Sequence, residues 1–401
     1  MFPLSHTGCS NTADFLERAV RVAEFYGFIP IENVPLARGG RGPFSRIDPN
    51  SISFTHKEER ALIPVVHRCA GRGMAKEDAV PSFIWRRGPG GKSAGARFVT
   101  IELHIIGVSS SVAEALLIAI TNAIAQETGI EERVIGINSL GSGDSSARYL
   151  RELSQYLRKH THMLPDSLSS RIAMDPIGVL LALAGKKNPI AERAPQMIEY
   201  LNEDERQHLW GVLEYLEATG AYYELNPSVL GSRDCWSHTI FEMCGIDPDT
   251  RASIPFARGG RYDALLRRCA GDSSSAVSVS ITCEAKGRST VVRARTKLPE
   301  ATLYFAHLGL EAKRRIVPIL ESLRLADIPV RQSIHYEQLA DQMIIAKSLG
   351  VRHMLIMGHK EAVEGDVLVR DTQTNSQVAI PTKELIGYLK RHRIGVYERA
   401  A

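Results

Sequence analysis

The sequence predicts an α+β chain in two parts: a long N-terminal unit of antiparallel strands with helices, and a smaller C-terminal α/β domain. Three observations carry this reading. The chain has 401 residues, too many for one ordinary domain. From Arg97 to Ile106, Phe98, Thr100, Glu102 and His104 alternate with Val99, Ile101, Leu103 and Ile105, the period of two of a strand with one apolar face and one polar face. From Pro299 onward, strand and helix patterns alternate regularly, which implies helices covering a mixed sheet.

The elements follow in order. Phe15, Ala19, Val22, Ala23 and Phe25 recur at helical spacing behind a cap at Asn11 or Thr12, and Gly27 ends that helix. Phe28 to Ile31 is extended, Arg38 to Pro43 reads as a loop, and Glu58 to Arg68 as a short helix. Arg86-Arg87-Gly88-Pro89-Gly90-Gly91-Lys92 is a turn between strands at Ser82 to Trp85 and Arg97 to Ile106. The polar face of the second strand, with Glu102 and His104, is a candidate site lining. Ser110 to Thr128 is a helix with Glu114 near its positive end. Val134 to Asn138 is a strand, and Ser145 to His160 an amphipathic helix with Tyr149, Leu153 and Leu157 on one face. Helical patterns continue to Leu216, broken by Pro165, Pro176, Pro189 and Pro195. Tyr222 to Leu225, Thr239 to Cys244 and Ala276 to Cys283 read as strands. Gly259 and Gly260 read as a bend before a helix from Ala264 to Cys269.

Lys286 to Lys297 holds five basic residues and no acidic one, a linker candidate able to meet phosphates. Beyond it lie strands at Leu303 to Ala306, Val330 to Gln332, His353 to Met357 and Asp366 to Arg370. Helices are expected at Leu310 to Leu325, Tyr336 to Leu349 and Thr382 to Arg391.

Composition narrows the function classes. Hydrophobic residues are 44% and charged residues 23%, the values of an ordinary globular protein. The longest apolar stretch, Ala113 to Ala125, is interrupted by Glu114, Thr121 and Asn122 and falls short of a membrane span. The N-terminus lacks a basic start with an apolar run, so the expectation is a cytoplasmic protein. The six cysteines form no C-x-x-C pair, so they read as reduced thiols and no metal site is predicted. A net charge of +4 permits an RNA partner without requiring one.

Several stretches, in order, resemble histidyl-tRNA synthetase, a class II aminoacyl-tRNA synthetase. Ala257-Arg258-Gly259-Gly260-Arg261-Tyr262-Asp263 is similar to that family's GGRYD signature. Gly231-Ser232-Arg233-Asp234-Cys235-Trp236-Ser237-His238-Thr239-Ile240-Phe241-Glu242 falls where the family has R-G-L-D-Y-Y-T-R-T-x-F-E. Ile137-Asn138-Ser139-Leu140-Gly141 resembles the start of the family's inserted segment. Glu24 to Leu36 resembles the first class II motif near a dimer interface, and Ala301 to Leu389 the anticodon-binding domain. The resemblance implies a class II synthetase-like core over residues 1–297, a helical insertion at about 134–225, and an anticodon-binding-like domain over 298–401. It implies histidine, ATP with Mg2+, and tRNA as partners, and a homodimer.

Amino-acid activation brings a carboxylate up to a polyphosphate, so it needs guanidinium groups at the developing charge. Arg87, Arg233 and Arg261 are the candidates for that work. Glu102, Asp234, Trp236, Glu242, Gly259, Gly260, Tyr262 and Glu284 are the candidates for binding substrate. The chain departs from the family at the arginines. Gly231 stands where the R-G-L-D-Y-Y arginine would be, and Ala285 where the third motif ends in arginine after Glu284. Arg233, two residues along a strand and hence on the same face, and Arg288 are the relocated arginines that would restore the site in a divergent ligase. Three functions remain open: a histidine–tRNA ligase, a synthetase-derived protein without ligation that binds tRNA or senses histidine, and that divergent ligase. Lys313 to Arg315 and Lys390 to Arg393 supply basic helix ends for RNA.

Overall fold

A computed structural model describes residues 1–34, 52, 54–70, 81–88, 92–93, 96–270, 275–285, 302–334, 336 and 338–395. Ten strands make one sheet: β1 (Phe2–Pro3), β2 (Ile29–Pro30), β3 (Ser82–Arg87), β4 (Lys92–Ser93), β5 (Ala96–Ile106), β6 (Arg133–Ser139), β7 (Tyr223–Leu225), β8 (Ser237–Ile246), β9 (Ser253–Arg261) and β10 (Ala276–Ala285). Their order is β2-β3-β5-β10-β9-β8-β6-β7, with β1 beside β10 and β4 beside β5. The central neighbours from β3 to β6 are antiparallel, as the alternation in β5 required.

The helices described with this sheet are α1 (Thr12–Phe25), α2 (Lys57–Ala70), α3 (Val112–Glu127), α4 (Gly143–Lys159), α5 (Asp166–Ser169), α6 (Pro176–Ala184), α7 (Pro189–Glu192), α8 (Glu203–Thr219) and α9 (Asp263–Ala270); α1, α3, α8 and α9 pack on its strands. Asn11 caps α1 by accepting from the Ala13 and Asp14 amides, as its short polar side chain favours. α3 is buried almost all round, from Val112 to Ala125, because α1, α8, β10 and the terminal domain all pack on it. Ala19, Val22 and Ala23 of α1 are buried within this one chain. Of the Glu24 to Leu36 stretch, Phe28 and Val34 are buried within this chain and Ile29 is exposed.

β6 and β7 join the main sheet through β8, so the helical excursion itself runs from α4 to α8. It starts on a buried face of Tyr149, Leu153 and Leu157. α8 opens with a reciprocal cap between Asn202 and Glu205.

The terminal domain has a second sheet, ordered β12-β11-β13-β14-β15. Its strands are β11 (Leu303–His307), β12 (Val330–Gln332), β13 (His353–Met357), β14 (Asp366–Asp371) and β15 (Gln377–Pro381), and its helices α10 (Gly309–Leu325), α11 (Leu339–Ser348), α12 (His359–Glu364) and α13 (Leu385–Arg391). The expected mixed α/β domain is present, with β15 as an unanticipated edge strand. The expected basic linker lies outside the described residues.

α10 docks on α3 and α8. Tyr26 Oη donates to Glu321 Oε2 at 2.7 Å, and Arg324 donates to Glu321 at 2.8 Å and to Glu127 at 3.1 Å. Burial, reinforced by the Glu321 charge, lifts the Tyr26 hydroxyl well above the usual phenol range.

No helix among the described residues is long and apolar enough to cross a membrane.

Candidate functional site

The polar face of the sheet carries one continuous row. Register places Arg86 opposite Glu102, Glu102 opposite Ser280, Ser280 opposite Arg258, and Arg258 opposite Glu242, across β3, β5, β10, β9 and β8. Directly opposed residues share a face, so five strands present cation, anion, hydroxyl, cation and anion side by side. The next row holds Ile84, His104, Ser278, Gly260 and Ile240.

These groups are bonded to one another. Arg86 Nε reaches Glu102 Oε2 at 2.5 Å and its Nη2 reaches Oε1 at 3.3 Å. His104 Nε2 lies 3.6 Å from Glu102. Burial pushes the Glu102 carboxyl up, but the bonds and charges of His104 and Arg86 outweigh it and hold the group below the usual carboxylate range. His104 is fully buried, and that burial lowers its pKa. Its Nδ1 is 3.3 Å from Tyr262 Oη. Arg258 donates to Glu242 Oε2 at 2.8 Å and to the Leu230 carbonyl. Thr100 and Thr282 share a hydroxyl bond of 3.0 Å. The Ser278 hydroxyl and Arg258 Nε are buried without a hydrogen-bond partner among the described residues.

At Gly231 the chain has closed the space an arginine would need. A Cβ there would lie 2.5 Å from Trp236 Cδ1 and 2.9 Å from Glu59 Oε1. Glu59, fully buried on α2, accepts from Trp236 Nε1 at 2.9 Å and from the Ser232 amide at 2.8 Å. It also accepts from the Thr55 and His56 amides. One carboxylate thus stitches the start of α2 to the 231–236 segment, and Trp236 fills the slot.

Arg233 does not share a strand face with position 231. Residues 232–236 form a turn in which the Cys235 and Trp236 amides both bond the Ser232 carbonyl, so the two-residue spacing has no strand meaning there. Arg233 is exposed. The same-face placement of Arg233 is therefore corrected: the guanidinium beside Leu230 belongs to Arg258. Sequence reasoning missed it, although alternation along β9 puts Arg258 and Arg261 on opposite faces.

Arg261 is 1% exposed, not in a cleft. Its Nε donates to Glu114 Oε1 at 2.7 Å and its Nη2 to Oε2 at 2.5 Å. The Val108 and Ser110 carbonyls take further bonds at 3.0 and 3.2 Å. His208 Nε2 completes the cluster at 2.7 Å from Glu114. Burial works against the Glu114 carboxylate, yet Arg261 and His208 hold its pKa down to about 2. Arg261 is a strut between β9 and the start of α3.

The two glycines before Arg261 do not bend the chain; they lie within β9. A Cβ at Gly259 would stand 2.3 Å from the Ser278 carbonyl, and one at Gly260 2.7 Å from the Thr239 carbonyl. They are glycines because neighbouring strands press on them.

Arg87 is exposed at the end of β3, and Asp234 bonds Arg268 at 2.7 Å. Glu284 is half-buried on the Ser278–Ser280–Thr282 side of β10. Arg288 lies outside the described residues. Among the described residues, this face does not fit a triphosphate with its metal. Both arginines of the row are already bonded to carboxylates. The trio of His6, Asp247 and Asp249, whose ligand atoms lie within 4.8 Å of one another, sits at the β8–β9 turn, off the row.

Comparison with known proteins agrees with this architecture. The family model for an anticodon binding domain matches residues 311–392. The chain is 27% identical over 313 residues to the histidine–tRNA ligase of Picosynechococcus sp., covering 78% of this chain and 72% of that one. It is 25% identical over 380 residues to the histidine–tRNA ligase of Thermosynechococcus vestitus, covering 90% and 87%. The crystal structure of apo Staphylococcus aureus histidyl-tRNA synthetase shares the fold, with a TM-score of 0.50, 20% identity and 94% of each chain covered.

Proposed function

We propose, starting from a chain that is a histidyl-tRNA synthetase-like protein of class II fold, that it binds tRNA through its terminal domain and does not ligate histidine efficiently. One observation carries this reading: the side chains nominated for substrate are already bonded within the chain. Glu102 holds Arg86 and Glu242 holds Arg258. Asp234 holds Arg268, and Tyr262 meets His104. The chain's own imidazole thus stands between Tyr262 and Glu102. A free histidine would have to break these pairs before gaining its own bonds.

The charge-stabilising donors point the same way. Position 231 has no room for an arginine, Arg261 is a strut, and position 285 is alanine. Losing one such donor costs about 100- to 1,000-fold in rate. The anticodon-binding-like domain, by contrast, keeps its sheet and four helices.

The test pairs two measurements on the full chain. Filter binding with bulk tRNA should give a saturable complex, and histidine-dependent ATP–pyrophosphate exchange should be absent or trace. Robust exchange with histidine would overturn the impaired reading. Failure to bind any tRNA would overturn the tRNA role.

A second reading has one observation in its favour. The Arg258 guanidinium rests against the Leu230 carbonyl, next to the vacated position. On that reading the chain is a working ligase using ATP and Mg2+ in the cytoplasm, and Arg258→Ala abolishes exchange. A homodimer is kept on resemblance alone, and sedimentation of the purified chain decides it.

A further inference from the structure

Apart from the row, a cavity of about 360 Å³ lies where α4, α6 and α7 close on the chain at 227–230. That volume is in the range of small-molecule sites. Its depth is apolar: Tyr149, Leu180 and Leu230 line it and are buried, and Pro195 continues the wall. Its mouth is charged, since Lys187 and Glu192 line the same cavity and are exposed. Leu230 links it to the row, through the carbonyl that accepts from Arg258.

Tyr149 is the polar group at depth. It is 2% exposed, and its hydroxyl makes no hydrogen bond among the described residues. A phenol buried without a partner carries a desolvation cost that a ligand's acceptor would remove. Burial pushes its pKa up, so it stays a donor. At the mouth, neither Lys187 nor Glu192 makes an ion pair among the described residues. The fitting occupant has an oxygen acceptor at one end of an apolar body and both signs of charge at the other. An α-amino acid supplies the charged end. Serine, threonine and asparagine are too short to span apolar walls, while leucine, methionine and phenylalanine carry no oxygen at the tip.

We propose that this cavity binds a free aromatic amino acid bearing a ring hydroxyl. The ring lies among Leu180, Leu230 and Pro195, and its hydroxyl oxygen accepts from Tyr149 Oη. The carboxylate meets Lys187 and the ammonium group meets Glu192. A site that hydrogen-bonds a ligand hydroxyl rejects the analogue lacking it, because its own buried donor is then left unpaired.

Calorimetric titration of the full chain with tyrosine, and separately with phenylalanine, tests this. Tyrosine should bind about fivefold tighter, the scale of one net hydrogen bond. Tyr149→Phe, a change of one buried oxygen, should fold normally and erase that difference by weakening tyrosine alone. Lys187→Gln should weaken both amino acids alike, about threefold, as an exposed charge contact does. Excess histidine should displace neither. Equal affinity for the two amino acids overturns the proposal, as does no binding of either. Displacement by histidine overturns it too, because the probe would then sit on the sheet's polar face. So does a tyrosine preference that survives in Tyr149→Phe.

Discussion

Two sets of arginines divide this molecule. Those on or beside the signature strands, Arg86, Arg258 and Arg261, are each bonded to a glutamate and largely withdrawn from water. Those where the helical excursion meets the core, Arg151, Arg158, Arg233 and Arg267, are exposed, with no ion pair among the described residues, beside an Arg268 that bonds Asp234. The signature set holds the sheet together, while these four keep their charge at the surface. A motif therefore fixes where an arginine stands in the fold, but its bonding partners decide whether it can meet a ligand.

The strongest way to break this comparison is at Glu114. Glu114→Gln would leave Asp263, 3.7 Å from Nη1, as the remaining carboxylate beside the buried Arg261, at a cost of about 3–4 kcal/mol, read from urea unfolding. The Glu114–Arg261 pair sets an acid limb. Glu114 has a folded pKa of about 2 against an ordinary 4.5, so its stabilisation is complete above about pH 4.5. It drains away as pH falls toward 2. The glutamine variant should lose that part of the pH dependence, and an unchanged acid limb would refute the strut. Next comes Gly231→Arg, which restores the residue the relatives' pattern calls for. It should cost about 3 kcal/mol by overpacking against Trp236 and yield no pyrophosphate exchange. A stable variant with new exchange would show that the vacated slot can be reopened.

A smaller effect sharpens the comparison within the row. His104→Ala should cost about 2 kcal/mol, because Tyr262 loses its hydrogen bond and a buried imidazole leaves a cavity. Added free imidazole should restore part of the melting temperature by filling the space. No rescue would argue against a pocket occupied by the chain's own side chain. Smallest is Tyr26→Phe at the domain seam, at about 1 kcal/mol for one lost hydrogen bond, measured by denaturant midpoint.

Local patterns in the sequence were reliable guides. The alternation in β5 placed Glu102 and His104 on the polar face, and the 3.6-residue periodicity drew α1 and α4 where they stand. The regular alternation after Pro299 marked the terminal domain. Partnerships across the chain left no local trace. Glu59 meets Trp236 from 177 residues away and Glu114 meets Arg261 from 147, and no periodicity encodes such pairs. The step from Gly231 to Arg233 reads as strand spacing in the sequence, whereas the chain turns there on the Ser232 carbonyl. The Gly259–Gly260 pair was read as a bend because glycine permits bends. Its real constraint is the closeness of two neighbouring strands, which only the assembled sheet reveals.

The seam between α10 and the core bears on how the molecule melts. The terminal domain cannot part from α3 without stranding the Tyr26 hydroxyl, the Arg324 guanidinium and the apolar face of α10. A heat-capacity scan should accordingly show one endotherm for the intact chain, and two well-separated peaks would mean the halves are thermodynamic strangers. A domain excised after the linker would carry that uncovered face into solution and self-associate. Any load applied to the anticodon-binding-like half is thus transmitted to α3, and through Glu114 to the strand that ends in Arg261.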